Sequence, residues 1–191
     1  MSSISVSPRT LGDAVPGGLV RSVALVASGA ALVGLSAQVA IPLPFTPVPL
    51  SLQTFAVLLV GAVLGSRRGA ASMALYLMAG VAGVPWFTQH QSGWAFASFG
   101  YVVGFVVAAW LVGRLAERGV DRHVLPSIGL MVLGNLAIYA FGVPGLMLAT
   151  GMSLVSALTL GVLPFLVGDA VKIAVAAGLL PAAWKLVGSR R

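Results

Sequence analysis

Long apolar stretches alternate with short polar or proline-rich connections along most of the chain. A helix that crosses a bilayer needs about 20 predominantly apolar residues. The pattern therefore predicts six membrane-spanning helices in a single membrane domain over 20–191, which follows a flexible cytoplasmic lead-in over 1–19. The predicted spans are 22–41, 50–65, 69–84, 99–113, 124–141 and 163–187.

The composition supports this all-α interpretation. The 191 residues are 59% hydrophobic and 8% charged, with a mean hydropathy of +1.04. Such a chain has too few polar groups to cover a water-soluble globule. The lead-in lacks the basic, apolar and small-residue regions of a signal peptide, so the first span is expected to direct insertion. We predict a multi-pass integral protein of the cytoplasmic membrane, surrounded by bilayer lipid.

The charged residues follow the predicted topology. Every basic residue except Lys172 lies at a terminus or in the connections after the second and fourth predicted spans. The other three connections, 42–49, 85–98 and 142–161, contain no Lys, Arg, Asp or Glu. Under the positive-inside rule, both termini are cytoplasmic and the three uncharged connections lie outside. The net charge of +7 is thereby explained without a nucleic-acid partner.

Asp169 and Lys172 are the ionisable residues that lie deep inside apolar sequence. An ionisable group at bilayer depth costs about 3 kcal/mol or more and usually has a partner or a function. Segment 153–161 resembles a short helix with a serine cap and a terminal glycine, and Pro164 suits the first turn of the last span. Asp169 would then lie about 7–8 Å below the outer start of that span.

Two interpretations of this i, i+3 pair remain open. The pair could be a buried ion pair that holds helices in register. It could also be a ligand site, in which Lys172 meets a ligand carboxylate and Asp169 accepts N–H donors or orients the lysine. The uncharged outer connections and their aromatic residues favour the ligand site.

Other residues on the outer side are candidates for the same site. Asn135 and Tyr139 share one face of the fifth span and offer either ligand contacts or hydrogen bonds between helices. Gln53 and Thr54 lie at the top of the second span. The connection 42–49 before them contains four prolines, which makes it a stiff lid or a rigid connector.

The connection 85–98 contains two tryptophans with two possible roles. Trp86 and Trp94 are either interfacial anchors or stacking walls for a ring. His90 has no second histidine or carboxylate near it in sequence, so no metal site is predicted. The chain has no cysteine, which excludes disulfides and thiolate ligands.

The remaining motifs narrow the functional class. No phosphate-binding loop of the form G-x-x-x-x-G-K-[ST] occurs, so we do not expect the chain to hydrolyse ATP itself. No histidine pair, Ser-His-Asp set or carboxylate pair argues for an enzyme, and no cofactor is predicted. Small residues recur at four-residue spacing, as in Ala27 and Ala31 or Gly61 and Gly65. These positions suit close helix packing or, on an outer face, docking of another membrane protein.

The order and spacing of six segments make the chain similar to a known family. It resembles the BioY family, the biotin-specific substrate-binding (S) components of energy-coupling factor (ECF) transporters. The resemblance covers nearly all of the chain beyond the lead-in. The segments that carry it are 46–54, 61–65, 68–70, 76–85, 99–105 and 168–172.

The resemblance implies an S-component fold of six helices with both termini inside and biotin bound in an outward-facing pocket beneath two outer loops. Asp169 and Lys172 match the family's Gly-Asp-x-x-Lys motif, which contributes to the biotin site. Ala27 and Ala31 look like the motif by which such components dock on a transmembrane coupling protein, which works with ATPase subunits. The expected ligand-binding residues are Asp169, Lys172, Asn135, Tyr139, Gln53, Thr54, Tyr101 and Trp86.

Two segments depart from the family pattern, namely 88–93 and 97–100, which replace a glycine pair and a Pro-Thr-Gly-Gly-like run. Two further functional classes remain open beside an energised uptake component. A stand-alone carrier would transport biotin without ATPase partners. A structural membrane subunit would bind no small molecule.

Overall fold

The computed structural model describes residues 10–15 and 17–188. Within these residues the chain is almost entirely helical, apart from a short antiparallel hairpin of β1 (Ala40–Ile41) and β2 (Leu50–Ser51). The α-helices are α1 (Leu19–Gln38), α2 (Gln53–Val81), α3 (Phe99–Ala116), α4 (Val124–Thr150), α5 (Leu154–Gly161) and α6 (Leu166–Gly188).

Five stretches of these residues are long and apolar enough to cross a membrane. Four of them are the helices α1 to α4. The fifth is Leu154–Val187, which comprises α5, a 3-10 turn at Leu163–Phe165 and most of α6. The prediction of an all-α, multi-pass membrane protein is therefore confirmed.

Helix α2 reverses its direction at Gly65. This residue has φ 83° and ψ 176°, a conformation that glycine adopts readily and other residues avoid. Gln53 and Tyr76 are joined by a side-chain hydrogen bond, although a straight helix would place them about 35 Å apart. The two parts of α2 therefore lie side by side and antiparallel. The reversal lies at the end of the second predicted span.

Glycines bring the helices of the bundle close together. A methyl group at Gly69 would lie 3.0 Å from the Cα atom of Gly61, where the two parts of α2 meet. Helices α3 and α4 approach in the same way, since a methyl group at Gly100 would lie 2.8 Å from the Cα atom of Gly145. These positions are sites of internal packing, as small residues in membrane helices commonly are.

Helix α4 is longer than the predicted fifth span, which ended at residue 141. It continues through Pro144 and ends at Thr150, before Gly151 with φ 71°. Proline signals a helix end in water, but membrane helices tolerate it because neighbouring helices satisfy the freed backbone groups. The short helix predicted after Ser153 is confirmed as α5. The Ser153 hydroxyl caps it by accepting a hydrogen bond from the backbone N–H of Ser156 at 3.3 Å.

Part of the predicted lead-in is folded against the bundle. A 3-10 turn at Leu11–Ala14 contacts α2, and the Asp13 carboxylate accepts a hydrogen bond from the Arg68 guanidinium. This ion pair and the apolar contact of Leu11 attach residues 10–15 to the bundle. The other predicted lead-in residues before position 17 lie outside the described residues, as do Arg190 and Arg191.

Candidate functional site

A cavity of about 50 Å³ lies among α2, α3, α4 and α6, at the end of the bundle that carries the hairpin. Its wall combines apolar side chains with a small set of polar ones. Seven of the eight predicted ligand-binding residues line it, although they come from four different helices. They are Gln53, Thr54, Tyr101, Asn135, Tyr139, Asp169 and Lys172.

The two ionised side chains of the cavity hold each other in place. Lys172 Nζ lies 3.4 Å from Asp169 Oδ1 and donates a hydrogen bond to Thr54 Oγ1 at 2.9 Å. The Tyr139 hydroxyl donates to the other carboxylate oxygen. The Asp169 and Lys172 side chains are only 7% and 15% exposed. The pair places a lysine donor next to a carboxylate acceptor, and their formal charges cancel.

Asn135 differs from these residues because its amide is unused. It is 8% exposed, lines the cavity, and makes no side-chain hydrogen bond to any described residue. A primary amide offers two donors and an acceptor, and a buried polar group normally has partners. Tyr139, one turn further along α4, hydrogen-bonds between helices. Asn135 is therefore a largely buried side chain of the cavity whose amide is free to hydrogen-bond.

Gln53 is fixed by a network that the sequence did not reveal. Its Nε2 atom donates to the Tyr76 hydroxyl, and its Oε1 atom accepts from Thr88 Oγ1 at 3.0 Å. The Tyr76 hydroxyl in turn donates to the backbone oxygen of Trp86 at 3.2 Å. Because Tyr76 has a single hydroxyl hydrogen, this chain of donors sets the orientation of the Gln53 amide. Thr88 also lines the cavity.

Tyr101 lines the cavity from α3 and joins it to α5. Its hydroxyl donates to the backbone oxygen of Gly161 at 2.9 Å, and its ring stands edge-on to that of Tyr139 with the centroids 6.3 Å apart. The hydroxyl is therefore engaged in the fold, which leaves mainly the ring to contact a ligand.

Trp86 lies outside the cavity. Its indole N–H donates to the backbone oxygen of Tyr76 at 2.9 Å, and its ring packs on Gly34 of α1. It therefore joins α1 to α2 instead of forming a stacking wall. Trp94 is 70% exposed and lies at an apolar groove of about 690 Å³ on α3 and α4, which contains no charged side chain.

Two connections at this end of the bundle cover the cavity. Val48 and Pro49 of the hairpin line it, and Thr46 Oγ1 anchors the hairpin by donating to the backbone oxygen of Leu160 at 2.7 Å. In the other connection, Gln89 and His90 both have positive φ, 61° and 59°, directly after Thr88. Consecutive non-glycine residues in this region are uncommon and carry backbone strain.

The cavity is small compared with known ligand pockets. A volume of 50 Å³ admits roughly three or four water molecules. Pockets that bind small organic molecules are commonly about 300–1,000 Å³. The cavity as described therefore has no room for a ligand with a ring system. The strained turn at Gln89 and His90 directly follows Thr88, which lines the cavity.

Helix α1 presents two different faces. Ala30 and Gly34 are buried against the bundle, whereas Ala27 and Ala31 are exposed. The exposed pair is thus a small-residue surface on the outside of the bundle. The predicted docking residues lie where a second membrane protein would have access to them.

The described fold and site define a class of protein before any relative is considered: a multi-pass α-helical membrane protein with a partly polar cavity at one end. A solved structure described as the S-component for biotin from an ECF-type ABC transporter shares this fold. Its TM-score is 0.78 at 22% sequence identity, over 87% of this chain and 92% of that one.

Sequence comparison identifies the family. Residues 5–189 match the model of the BioY family, to which the chain belongs. A probable biotin transporter BioY from Pyrococcus horikoshii is 37% identical over 82% of this chain and 91% of its own length. The biotin transporter BioY from Rhizobium etli is 34% identical over 78% of this chain and 84% of its own length. The resemblance inferred from the segments of the sequence is confirmed.

Proposed function

We propose that this protein takes up biotin, binding it in the cavity among α2, α3, α4 and α6 and moving it across the cytoplasmic membrane. The observation that carries the proposal is the set of Asp169, Lys172 and Asn135, where a charge-balanced pair lies next to an unused amide in a buried cavity. The chain acts as a transport component and not as an enzyme. A structural subunit without a ligand would have no use for a buried amide that lacks a partner.

The chemistry of biotin suits these side chains. Its ureido ring has two N–H donors and one oxygen acceptor, and its side chain ends in a carboxylate. The Asp169 carboxylate accepts N–H donors, while the Lys172 ammonium and the Asn135 amide donate to ligand oxygen atoms. Apolar side chains that line the cavity, such as Phe105 and Ile138, contact the sulfur-containing ring and the hydrocarbon chain.

We further propose six membrane-crossing helices with both termini in the cytoplasm. The reversal at Gly65 supports this count, because it divides α2 into two antiparallel parts. The position of charge supports the orientation, since basic residues gather at the Gly65 end of the bundle and the cavity end has uncharged connections. The cavity then opens to the outside.

The binding experiment is a calorimetric titration of biotin into purified protein that has been freed of bound ligand. We expect saturable, near-stoichiometric binding. Absence of binding to a protein with an intact helical circular-dichroism spectrum would contradict the proposal. A panel of other small carboxylates would then identify the class of ligand.

The proposal includes a coupling protein and ATPase subunits as partners, docked on the exposed face of α1. Replacing both Ala27 and Ala31 with tryptophan is expected to abolish energised uptake in cells that express all subunits, while the dissociation constant for biotin stays within twofold. The control is Ala140→Trp, which adds one such side chain to an exposed position on α4. Undiminished uptake in the double variant, or uptake by the chain expressed alone, would instead favour a stand-alone carrier.

A further inference from the structure

A second polar cavity, of about 290 Å³, lies at the opposite end of the bundle from the biotin cavity. It forms where α2 reverses, so its first wall is the turn of Ser66, Arg67 and Arg68 directly after Gly65. The end of α3 supplies a second wall and the N-terminal 3-10 turn a third. We name it the turn cavity.

On the N-terminal side of the turn cavity, both carboxylate oxygens of Asp13 accept hydrogen bonds. Asp13 Oδ2 accepts hydrogen bonds from the backbone N–H and the hydroxyl of Thr10, both at 3.1 Å. Its other oxygen accepts from Arg68, and Arg21 lies 3.8 Å away. Burial alone would raise the pKa of Asp13, but these hydrogen bonds outweigh it and hold the pKa below its ordinary value. Asp13 is therefore ionised at neutral pH.

The carboxylate on the α3 side is engaged in the same way. Glu117 Oε1 accepts from the backbone N–H of Ser66 at 2.8 Å and from its hydroxyl at 2.7 Å, while Oε2 lies 3.3 Å from Arg114. Burial raises the pKa of Glu117 less than these hydrogen bonds lower it. The carboxylate thus already occupies the N-terminus of the second part of α2, a position that favours negative charge.

The guanidinium groups of the turn cavity, in contrast, do not all have hydrogen-bond partners. Four of them, from Arg21, Arg67, Arg68 and Arg114, lie in or beside the turn cavity against two carboxylates. Arg68 Nη1 is buried without a hydrogen-bond partner, and Arg67 is exposed and pairs with no described residue. Each guanidinium has five N–H donors, and a buried donor without a partner is unfavourable. The turn cavity therefore has an excess of positive charge and unused donors.

We infer that the turn cavity binds a phosphate group, held by the guanidiniums of Arg67 and Arg114 at its open side. Guanidinium groups match phosphate oxygens in planar, bidentate hydrogen bonds. The cavity lies where two apolar helices end, which is the level of phospholipid phosphates. Basic pockets between membrane helices on the cytoplasmic side bind anionic headgroups. Only the assignment to the cytoplasmic leaflet rests on the proposed topology, and nothing in the inference depends on biotin binding.

The test measures retention of phosphatidylglycerol by the full-length protein. Delipidated protein is titrated with phosphatidylglycerol, or with phosphatidylcholine as the zwitterionic comparison, and the bound lipid is counted by native mass spectrometry. We expect one tightly bound phosphatidylglycerol, and at least tenfold weaker binding in the double variant Arg67→Gln, Arg114→Gln. The matched control is Arg118→Gln with Lys185→Gln, which removes two charges that do not line the cavity. We expect it to bind within twofold of the unmodified protein.

Further measurements identify the source of the phosphate and test whether the variants remain folded. If inorganic phosphate raises the melting temperature and displaces the lipid, the site binds free phosphate; if only the lipid binds, it is a headgroup site. Arg67→Gln alone is expected to weaken binding about threefold or more, and it leaves the fold unchanged because Arg67 has no described partner. Equal retention by the cavity variants and the protein itself, or an equal loss in the control, would overturn the inference. Biotin titration of each variant reports separately on the other cavity.

Discussion

The two ends of this bundle use charge in opposite ways. At the biotin cavity a single pair, Asp169 and Lys172, lies among apolar helices and uncharged connections, with side chains 7% and 15% exposed. At the turn cavity several arginines and two carboxylates share a partly exposed surface. A buried charge is costly and depends on its one partner, whereas surface charges are screened by water and partly replaceable. The comparison teaches that the same residue types form an isolated buried pair at one end and a partly exposed cluster at the other.

The comparison predicts its largest effect at the buried pair. Lys172→Ala leaves the Asp169 carboxylate buried without its cation, and losing one partner of a buried charged hydrogen bond commonly costs about 2–5 kcal/mol. We therefore expect the dissociation constant for biotin, measured by calorimetry, to rise roughly 30-fold to several thousand-fold. The control at the other end is Arg114→Gln, for which affinity is expected to stay within twofold. An unchanged affinity in Lys172→Ala would remove this residue from the site.

Replacing Asn135, whose amide makes no hydrogen bond within the described protein, should affect ligand affinity without affecting stability. This differs from Lys172 at one end and Asp13 at the other, which have partners within the protein. Asn135→Ala removes no hydrogen bond within the described protein, so the melting temperature should change little. A lost hydrogen bond to the ligand is worth about 1 kcal/mol, and more if it leaves a ligand group unpaired, so affinity should fall roughly five- to tenfold. Calorimetry and thermal unfolding of the same sample measure both. A large loss of stability with unchanged affinity would show that the amide serves the fold.

Tyr76→Phe tests the hydrogen-bond network that holds Gln53, and we expect a smaller effect on biotin affinity. The substitution keeps the buried ring and removes only the hydroxyl that accepts from Gln53 and donates to the Trp86 backbone. We expect affinity for biotin to fall about threefold to tenfold because the Gln53 amide is no longer held in one orientation. The effect should shrink when Gln53 is already replaced by alanine. Equal losses with and without Gln53 would contradict a positioning role.

The smallest effect is expected at the charged end, and it depends on pH. The pKa of Asp13 is lower in the folded protein than its ordinary value, so the ion pair with Arg68 stabilises the fold at neutral pH. This stabilisation is lost as the pH falls below about 4 through the folded pKa. Asp13→Asn is expected to cost about 0.2–1 kcal/mol at pH 7 and little in strong acid. Thermal unfolding across pH measures it; a constant difference at all pH values would contradict the assignment.

Much of this architecture could be predicted from the sequence, for reasons that differ between the elements. Apolar length and the alternation of basic connections identified a multi-pass helical protein because the bilayer imposes both features. The depth of Asp169 and Lys172 indicated where to look for a site because charge is rare at that depth, and both residues line the cavity. The predicted end of the fifth span was wrong. A proline such as Pro144 commonly ends a helix in water, but α4 continues through it in this bundle.

The parts that could not be predicted depend on long-range contacts. Nothing in the local sequence of Tyr76 or Thr88 shows that their hydroxyl groups meet at Gln53, because the reversal at Gly65 brings these residues together. Trp86 has the composition of a ring-stacking residue, and only the approach of α1 determines that its ring packs on Gly34. The prediction that the ligand is biotin came from the resemblance to the family, because composition and spacing alone do not specify a ligand.

Under the proposed topology and site, the reversal at Gly65 also sets how far biotin has to travel. The part of α2 between Gln53 and Gly65 rises only about 18 Å, whereas the hydrocarbon layer of a bilayer is about 30 Å thick. With the Gly65 end at the cytoplasmic surface, Gln53 lies well below the outer surface, and a molecule next to its amide has already passed through the outer third of the layer. The fold thus shortens the remaining passage before any energy is applied, since roughly 18 Å of barrier is left instead of 30.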